Sequence, residues 1–213
     1  MPHQFSNLVF TPSVKDVQTE MGSRLAGEML TQPGVANDIL GPNEKHYISL
    51  RDGFYMATVG ETDWPYIQFR GGPAGFLQSV DDHTLAFADV FGNRQYISVG
   101  NLRANHRVAI FLMDYPTQSR LRVLGEAEVT PWNDAPEWKN TLILPPKSRP
   151  ERVVRIHVSA FDWACTQHIP QRWTAEEFEH SPTGAHIRAL EAENRDLRAS
   201  LTAALLKPWP LLP

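Results

Sequence analysis

Cysteine is almost missing from the chain: among 213 residues only Cys165 occurs. That excludes an internal disulfide framework and fits a reducing compartment. Long apolar runs are missing too, and none approaches the roughly 20 residues that cross a bilayer. The opening Met1-Pro2-His3-Gln4-Phe5-Ser6 lacks the basic start and apolar centre of a secretory signal. Positive charge is in short supply, with 20 Lys and Arg against 24 Asp and Glu, so no broad basic face awaits a nucleic acid. No internal repeat is present. These absences lead us to expect a cytoplasmic protein without nucleic-acid or membrane partners. What is present, 42% hydrophobic and 21% charged residues, suffices for a packed core beneath a wet surface, and the length suits one domain over 1–213.

Periodicity divides the chain. Val14, Val17, Met21, Leu25, Met29 and Leu30 recur at helical spacing, which predicts a helix over 13–31 with Ser13 as N-cap and Pro33-Gly34 as stop. A short helix over 43–51 follows. The period then shortens, and six runs rich in β-branched or aromatic residues read as strands: 54–59, 65–69, 84–89, 107–114, 120–130 and 152–163. Several have no helix between them, which favours an antiparallel barrel over a doubly wound parallel sheet. Ile187, Leu190, Asn194, Leu197, Leu201 and Ala204 then form a heptad-like seam in a helix over 186–206. Two readings stay open there, a short coiled coil with a second copy or a helix packed on its own barrel.

Three segments carry chemistry. In Asp89-Val90-Phe91-Gly92-Asn93-Arg94-Gln95-Tyr96 a strand ends in a glycine-containing turn that opens an expected helix over 95–104. Unpaired N–H groups at a helix start and a planar guanidinium together suit a phosphate, although an ordinary turn with a surface arginine has the same pattern. The strand Ile67-Gln68-Phe69-Arg70 puts Gln68 and Arg70 on one face. Gly71-Gly72-Pro73-Ala74-Gly75 after it suits a tight bend or a flat ligand against bare backbone. Arg120 and Arg122 share a face of a third strand, as solvated arginines or as partners of an anion.

Together, Pro65–Phe76, Phe91–Ser98 and Cys165–Arg172 resemble the FMN-binding split barrel of the pyridoxamine 5'-phosphate oxidase-like superfamily. The likeness extends to a branch of flavin-nucleotide-binding proteins. It implies an α+β, mainly β fold: a six-stranded antiparallel split barrel over about 46–172 with flanking helices and a C-terminal helix. It implies FMN as cofactor and a homodimer with FMN at the interface, so dimerisation and cofactor binding are coupled. It carries flavin contacts onto Ile67, Gln68, Phe69, Arg70, Ala88 and Asp89. The family's phosphate-binding Ser-Arg-Lys stands here as Asn93-Arg94-Gln95, one cation fewer. Arg120 falls where the family places a glutamine that reaches the flavin across the dimer, and it or Arg122 is a candidate for the missing lysine. Gln167 and Arg172 are expected at a flavin-edge or dimer-interface loop. The Trp- and Arg-His-containing end of the true oxidases has no equivalent, which argues against vitamin B6 oxidation.

The resulting expectation is an FMN-dependent oxidoreductase acting on an unknown small molecule, with no catalytic acid or base identifiable. Its alternatives are a flavin carrier or sensor and, further off, a haem-binding split barrel using His46, His106, His157 or His168. Cys165 and His168 have metal-like spacing but no second pair of ligands, so no metal is expected.

Overall fold

The computed structural model describes residues 4–31 and 37–206. They fall into two compact units: the chain before Tyr115 with Gln118–Ile169, and Tyr115–Thr117 with the chain from Pro170 onward.

The first unit is built on an antiparallel sheet of β1 (Gly53–Val59), β2 (Pro65–Gly71), β3 (Gln78–Ser79), β4 (Thr84–Val90), β5 (Arg107–Asp114), β6 (Ser119–Pro131) and β7 (Pro150–Trp163). Their order is β2-β1-β5-β6-β7-β4-β3. Six of these are the strands read from the sequence. The seventh, β3, pairs with β4 through two residues, too few for an alternation to show.

Alternation forms the wall. In β5, Val108, Ile110 and Leu112 are buried while the residues between them are more exposed. They meet Phe54, Met56, Leu121, Val123 and Ile156 in the main core, where burying one such side chain contributes about 1.5–3 kcal/mol. β4 is buried on both faces. Leu85 and Phe87 enter the main core, whereas Ala86 and Ala88 join Ala135, Leu142 and Val153 in a smaller cluster under the 3-10 turns Trp132–Asp134 and Glu137–Thr141. The register of β6 on β7 shifts between Leu124 and Gly125. A Cβ on Gly125 would stand 2.5 Å from the His157 carbonyl oxygen, so only glycine permits this approach.

The sheet curls without closing. β2 and β4 are not ladder neighbours, yet Arg70 Nη1 of β2 donates to Asp89 Oδ1 of β4 at 2.6 Å. A side-chain bridge thus replaces the missing rungs, and this is the split in the barrel.

Helix α1 spans Gln4–Val9. The single helix expected over 13–31 is two, α2 (Pro12–Glu20) and α3 (Arg24–Thr31). Gly22, at φ 72°, takes the left-handed conformation that ends α2. The expected Pro33-Gly34 stop lies outside the described residues. Helix α4 (Pro42–Ser49) starts where Gly41 N–H donates to Glu44 Oε2 at 3.0 Å, and Trp163 Nε1 donates to Glu44 Oε1 at 2.8 Å, tying α4 to β7. Helix α5 (Ile97–Ala104) begins two residues later than read, because Tyr96 at φ 52° occupies its N-cap in the left-handed region.

In the second unit, α6 (Ala175–His180) is capped by Thr174, whose hydroxyl accepts from Glu177 N–H. Ser181 caps α7 (Pro182–Leu205), which starts four residues earlier than read. The seam from Ile187 to Ala204 is exposed along its length, and the Pro-rich tail after it lies outside the described residues. Among the described residues no helix is long and apolar enough to cross a membrane.

Candidate functional site

The split in the barrel opens into a cleft of ≈ 200 Å³, lined from β2, the end of β4, the turn after it, the start of α5 and Glu151. Strand alternation places the β2 contributors: Gln68 and Arg70 line the cleft, while Ile67 and Phe69 face the other way. Phe69 packs against Tyr55 at a 5.4 Å ring separation.

Past Asp89 the chain leaves β4 through Gly92-Asn93-Arg94-Gln95. Asn93 Oδ1 accepts from Gln95 N–H at 3.1 Å, an Asx turn. Arg94 stands at φ 63° and Tyr96 at φ 52°, two non-glycine residues held left-handed within three positions. Such conformations persist only where the surroundings enforce them, and they gather at binding sites. The first bond of α5 runs from Gly100 N–H to the Tyr96 carbonyl. Ile97, Ser98 and Val99, all at the cleft, therefore have N–H groups without intrahelical acceptors.

Charge is organised around Asp89. Its carboxylate is 6% exposed and takes Arg70 at 2.6 Å on Oδ1 and Arg152 Nη1 at 3.1 Å on Oδ2. Arg152 also meets Glu151 at 3.0 Å and lies 4.6 Å over the Tyr96 ring, while the Tyr96 hydroxyl donates to Glu151 at 3.3 Å. Burial pulls the Arg152 guanidinium pKa down, but hydrogen bonds to Tyr96, Asp89 and Glu151 outweigh it and hold it above the ordinary value. Ser98 Oγ donates to Gln68 Oε1 at 3.0 Å, orienting that amide.

One donor is left over. Arg70 Nε is buried without a hydrogen-bond partner among the described residues. Arg94 is exposed, lies over Phe91 at 5.7 Å, and shares a hydrogen bond with the Tyr96 side chain, which keeps its pKa above the ordinary value. Three guanidinium groups, Arg70, Arg94 and Arg152, stand against two carboxylates, Asp89 and Glu151. The arrangement is short of one anion, and its donors are those a phosphate would use. The terminal phosphate of FMN fits this donor set. The cleft is smaller than the about 300–1,000 Å³ of a typical ligand pocket, so it suits the phosphate end rather than a whole flavin.

Of the residues singled out in the sequence, the cleft brings together Gln68, Arg70, Asp89, Asn93, Arg94 and Gln95. The others lie elsewhere. The Ala88 side chain is packed in the smaller core cluster. Arg122 pairs with Asp162 and lies 4.9 Å over Phe5, while its buried Nε has no partner among the described residues. Arg120 is half-buried on β6, with an Nε that has no partner among the described residues. Gln167 is exposed in the turn after β7, where its N–H reaches Cys165 Sγ at 3.4 Å. Arg172, in the second unit, lies 5.1 Å over Tyr115. His46, His106, His157 and His168 are not at the cleft, and no three His, Cys, Asp or Glu side chains cluster around a metal-sized space among the described residues.

Sequence reading missed Tyr96, Ser98, Glu151 and Arg152 as site residues. Tyr96 and Ser98 stood inside the segment that carried the family likeness. Glu151 and Arg152 gave no local signal, since only the β4–β7 register, Asp89 opposite Arg152, brings them in.

Among curated proteins none matches the chain. Among solved structures, HupZ of Group A Streptococcus is 19% identical, with 63% of this chain and 100% of that one covered at a TM-score of 0.46. General stress protein 26 of Bacillus anthracis is 16% identical, with 56% and 92% covered at 0.38. An FMN-binding protein of Syntrophomonas wolfei is 10% identical, with 72% and 97% covered at 0.43. The family model described as pyridoxamine 5'-phosphate oxidase matches residues 44–162, more than half of the chain, from α4 through β7. The chain therefore belongs to the pyridoxamine 5'-phosphate oxidase family, built on its antiparallel α+β split barrel.

Proposed function

We propose that this chain binds FMN as a homodimer, seats the phosphate in the cleft of the split, and uses the flavin as redox centre for a small organic substrate. The supporting observation is the excess of guanidinium over carboxylate at the cleft, with Arg94 exposed and Arg70 Nε buried without a partner among the described residues, beside the open N–H groups of α5. Arg94 grips the phosphate. Asp89 and Arg152 fix Arg70, and Ser98 fixes Gln68, so that β2 presents a rigid polar face to the ligand. A bound flavin supplies hydride or electron transfer, and the chain's part is positioning and exclusion of side reactions. Because the cleft accommodates only the phosphate end, the remainder of the ligand needs a second wall, which the partner copy provides. Cofactor and dimer then stabilise one another by mass action.

The test is an absorbance spectrum of the purified protein with and without added FMN, together with its mass in solution. A yellow dimer with flavin bands is the expected result. A colourless monomer that ignores FMN overturns the proposal. Flavin that binds but is reduced by no nicotinamide donor makes the chain a carrier and removes the oxidoreductase part alone.

A further inference from the structure

We propose that α7 pairs with α7 of a second copy of this chain as a parallel, in-register, two-stranded coiled coil, giving the dimer a contact separate from the barrel. Among the described residues nothing covers the apolar seam of α7: Ile187 is 40% exposed, Leu190 49%, Leu197 62% and Leu201 61%. A helix cannot leave such a stripe in water without cost. The seam has heptad order, with Ile187, Asn194 and Leu201 at a and Leu190, Leu197 and Ala204 at d. The first heptad places a β-branched residue at a and leucine at d, the combination that favours two parallel strands.

The polar residues name the occupant and its direction. A parallel pair sets each g position against the e position five residues on in the other helix. Glu193 of one copy then meets Arg198 of the other, and His186 meets Glu191, twice each by symmetry. All four of these side chains are exposed. Parallel register also sets Asn194 against its own copy, where the two amides can hydrogen-bond. An antiparallel pair would bury Asn194 against Leu197 and leave the amide unpaired. With three a/d pairs the contact is weak alone, and it gains from any other surface that holds two copies together. The inference does not use the flavin, and a protein that ignores FMN leaves it standing.

The test is cross-linking of the full chain through single cysteines, in a Cys165→Ser background so that no other thiol competes. Leu190→Cys lies at a seam position and Ala199→Cys on the outer face; both side chains are exposed, so the fold tolerates them. Mild oxidation should convert most of the Leu190→Cys chain into a disulfide-linked dimer, and little of the Ala199→Cys chain. Reversing one charge with Glu193→Arg should lower that yield several-fold, and adding Arg198→Glu should restore it. Equal yields at the two cysteines, or none at Leu190→Cys, overturn the proposal. So does a result in which Leu190→Cys joins only to Leu201→Cys in a mixture. An antiparallel pair gives that pattern, because it holds two copies of residue 190 about 16 Å apart.

Discussion

The two sides of the barrel solve different problems with the same strand. On the wall, β1, β5, β6 and β7 are joined by continuous ladders, and their inward side chains are almost wholly apolar. At the split, β2 and β4 share no ladder, and Asp89, Arg70 and Arg152 hold them together instead. β4 takes part in both, with Leu85 and Phe87 in the core and Asp89 two residues further on at the cleft. The contrast shows why the site lies where it does. Strands joined by backbone bonds leave no room for a ligand, whereas strands joined by side chains leave donors that a ligand can reach.

If this division is right, damage to the wall should cost stability and spare binding. The largest effect expected is from Phe54→Ala. Phe54 is 1% exposed and packs against Phe76 at 5.5 Å and Phe87 at 5.4 Å. Its truncation should lower unfolding free energy by about 3–5 kcal/mol, read by denaturant titration, while folded protein keeps its FMN affinity. A large loss of affinity would break the comparison, because it would make the wall part of the site.

Asp89→Ala strikes the hinge between the two regions. It leaves Arg70 and Arg152, 18% and 21% exposed, without the carboxylate that neutralises them. Removing one partner of a buried ion pair costs about 3–5 kcal/mol, and the partial exposure here puts the expectation at the lower end, about 3 kcal/mol. FMN affinity should fall as well, since Arg70 loses its fixed position. A variant as stable as the parent would show that the bridge does not hold the split.

The wall was the legible region. Alternation in β1 and β5, and the continuous apolar run of β4, are local patterns, and they located six strands to within two residues. The split was legible in part. Gln68, Arg70 and Arg94 stood out by residue type and order, and the family likeness joined them and added Asp89. Arg152 and Glu151 did not, because their part depends on which residue of β7 lies opposite Asp89, a long-range register that no local pattern encodes. The break at Gly22 and the late start of α5 are backbone events, decided by single left-handed residues that leave the hydrophobic period unchanged.

Arg94→Ala sharpens the comparison from the other side. Arg94 is exposed and lies outside both core clusters, so its loss should leave the unfolding midpoint unchanged. Binding should weaken by roughly tenfold to a hundredfold, the worth of a charge-assisted hydrogen bond, as measured by FMN titration followed in flavin fluorescence. Unchanged affinity would remove Arg94 from the phosphate.

The smallest effect tests a polar group that a helix packs against the wall. Tyr47 lies on the buried face of α4, with its hydroxyl donating to the Ser119 carbonyl at 3.1 Å and its ring edge-on to Trp163 at 4.7 Å. Burial, the largest influence, raises its pKa above the ordinary value near 10. The folded state therefore holds the phenolic proton more tightly than the unfolded chain does. That contribution is complete below about pH 10 and is lost as pH rises through the higher folded value. Stability should thus decline in alkaline solution. Tyr47→Phe should flatten this decline while costing about 1 kcal/mol at neutral pH for the lost hydrogen bond, both read from unfolding curves across the alkaline range. If the decline persists unchanged in Tyr47→Phe, the alkaline weak point belongs to other groups, and the phenol that α4 packs against the wall plays no part in it.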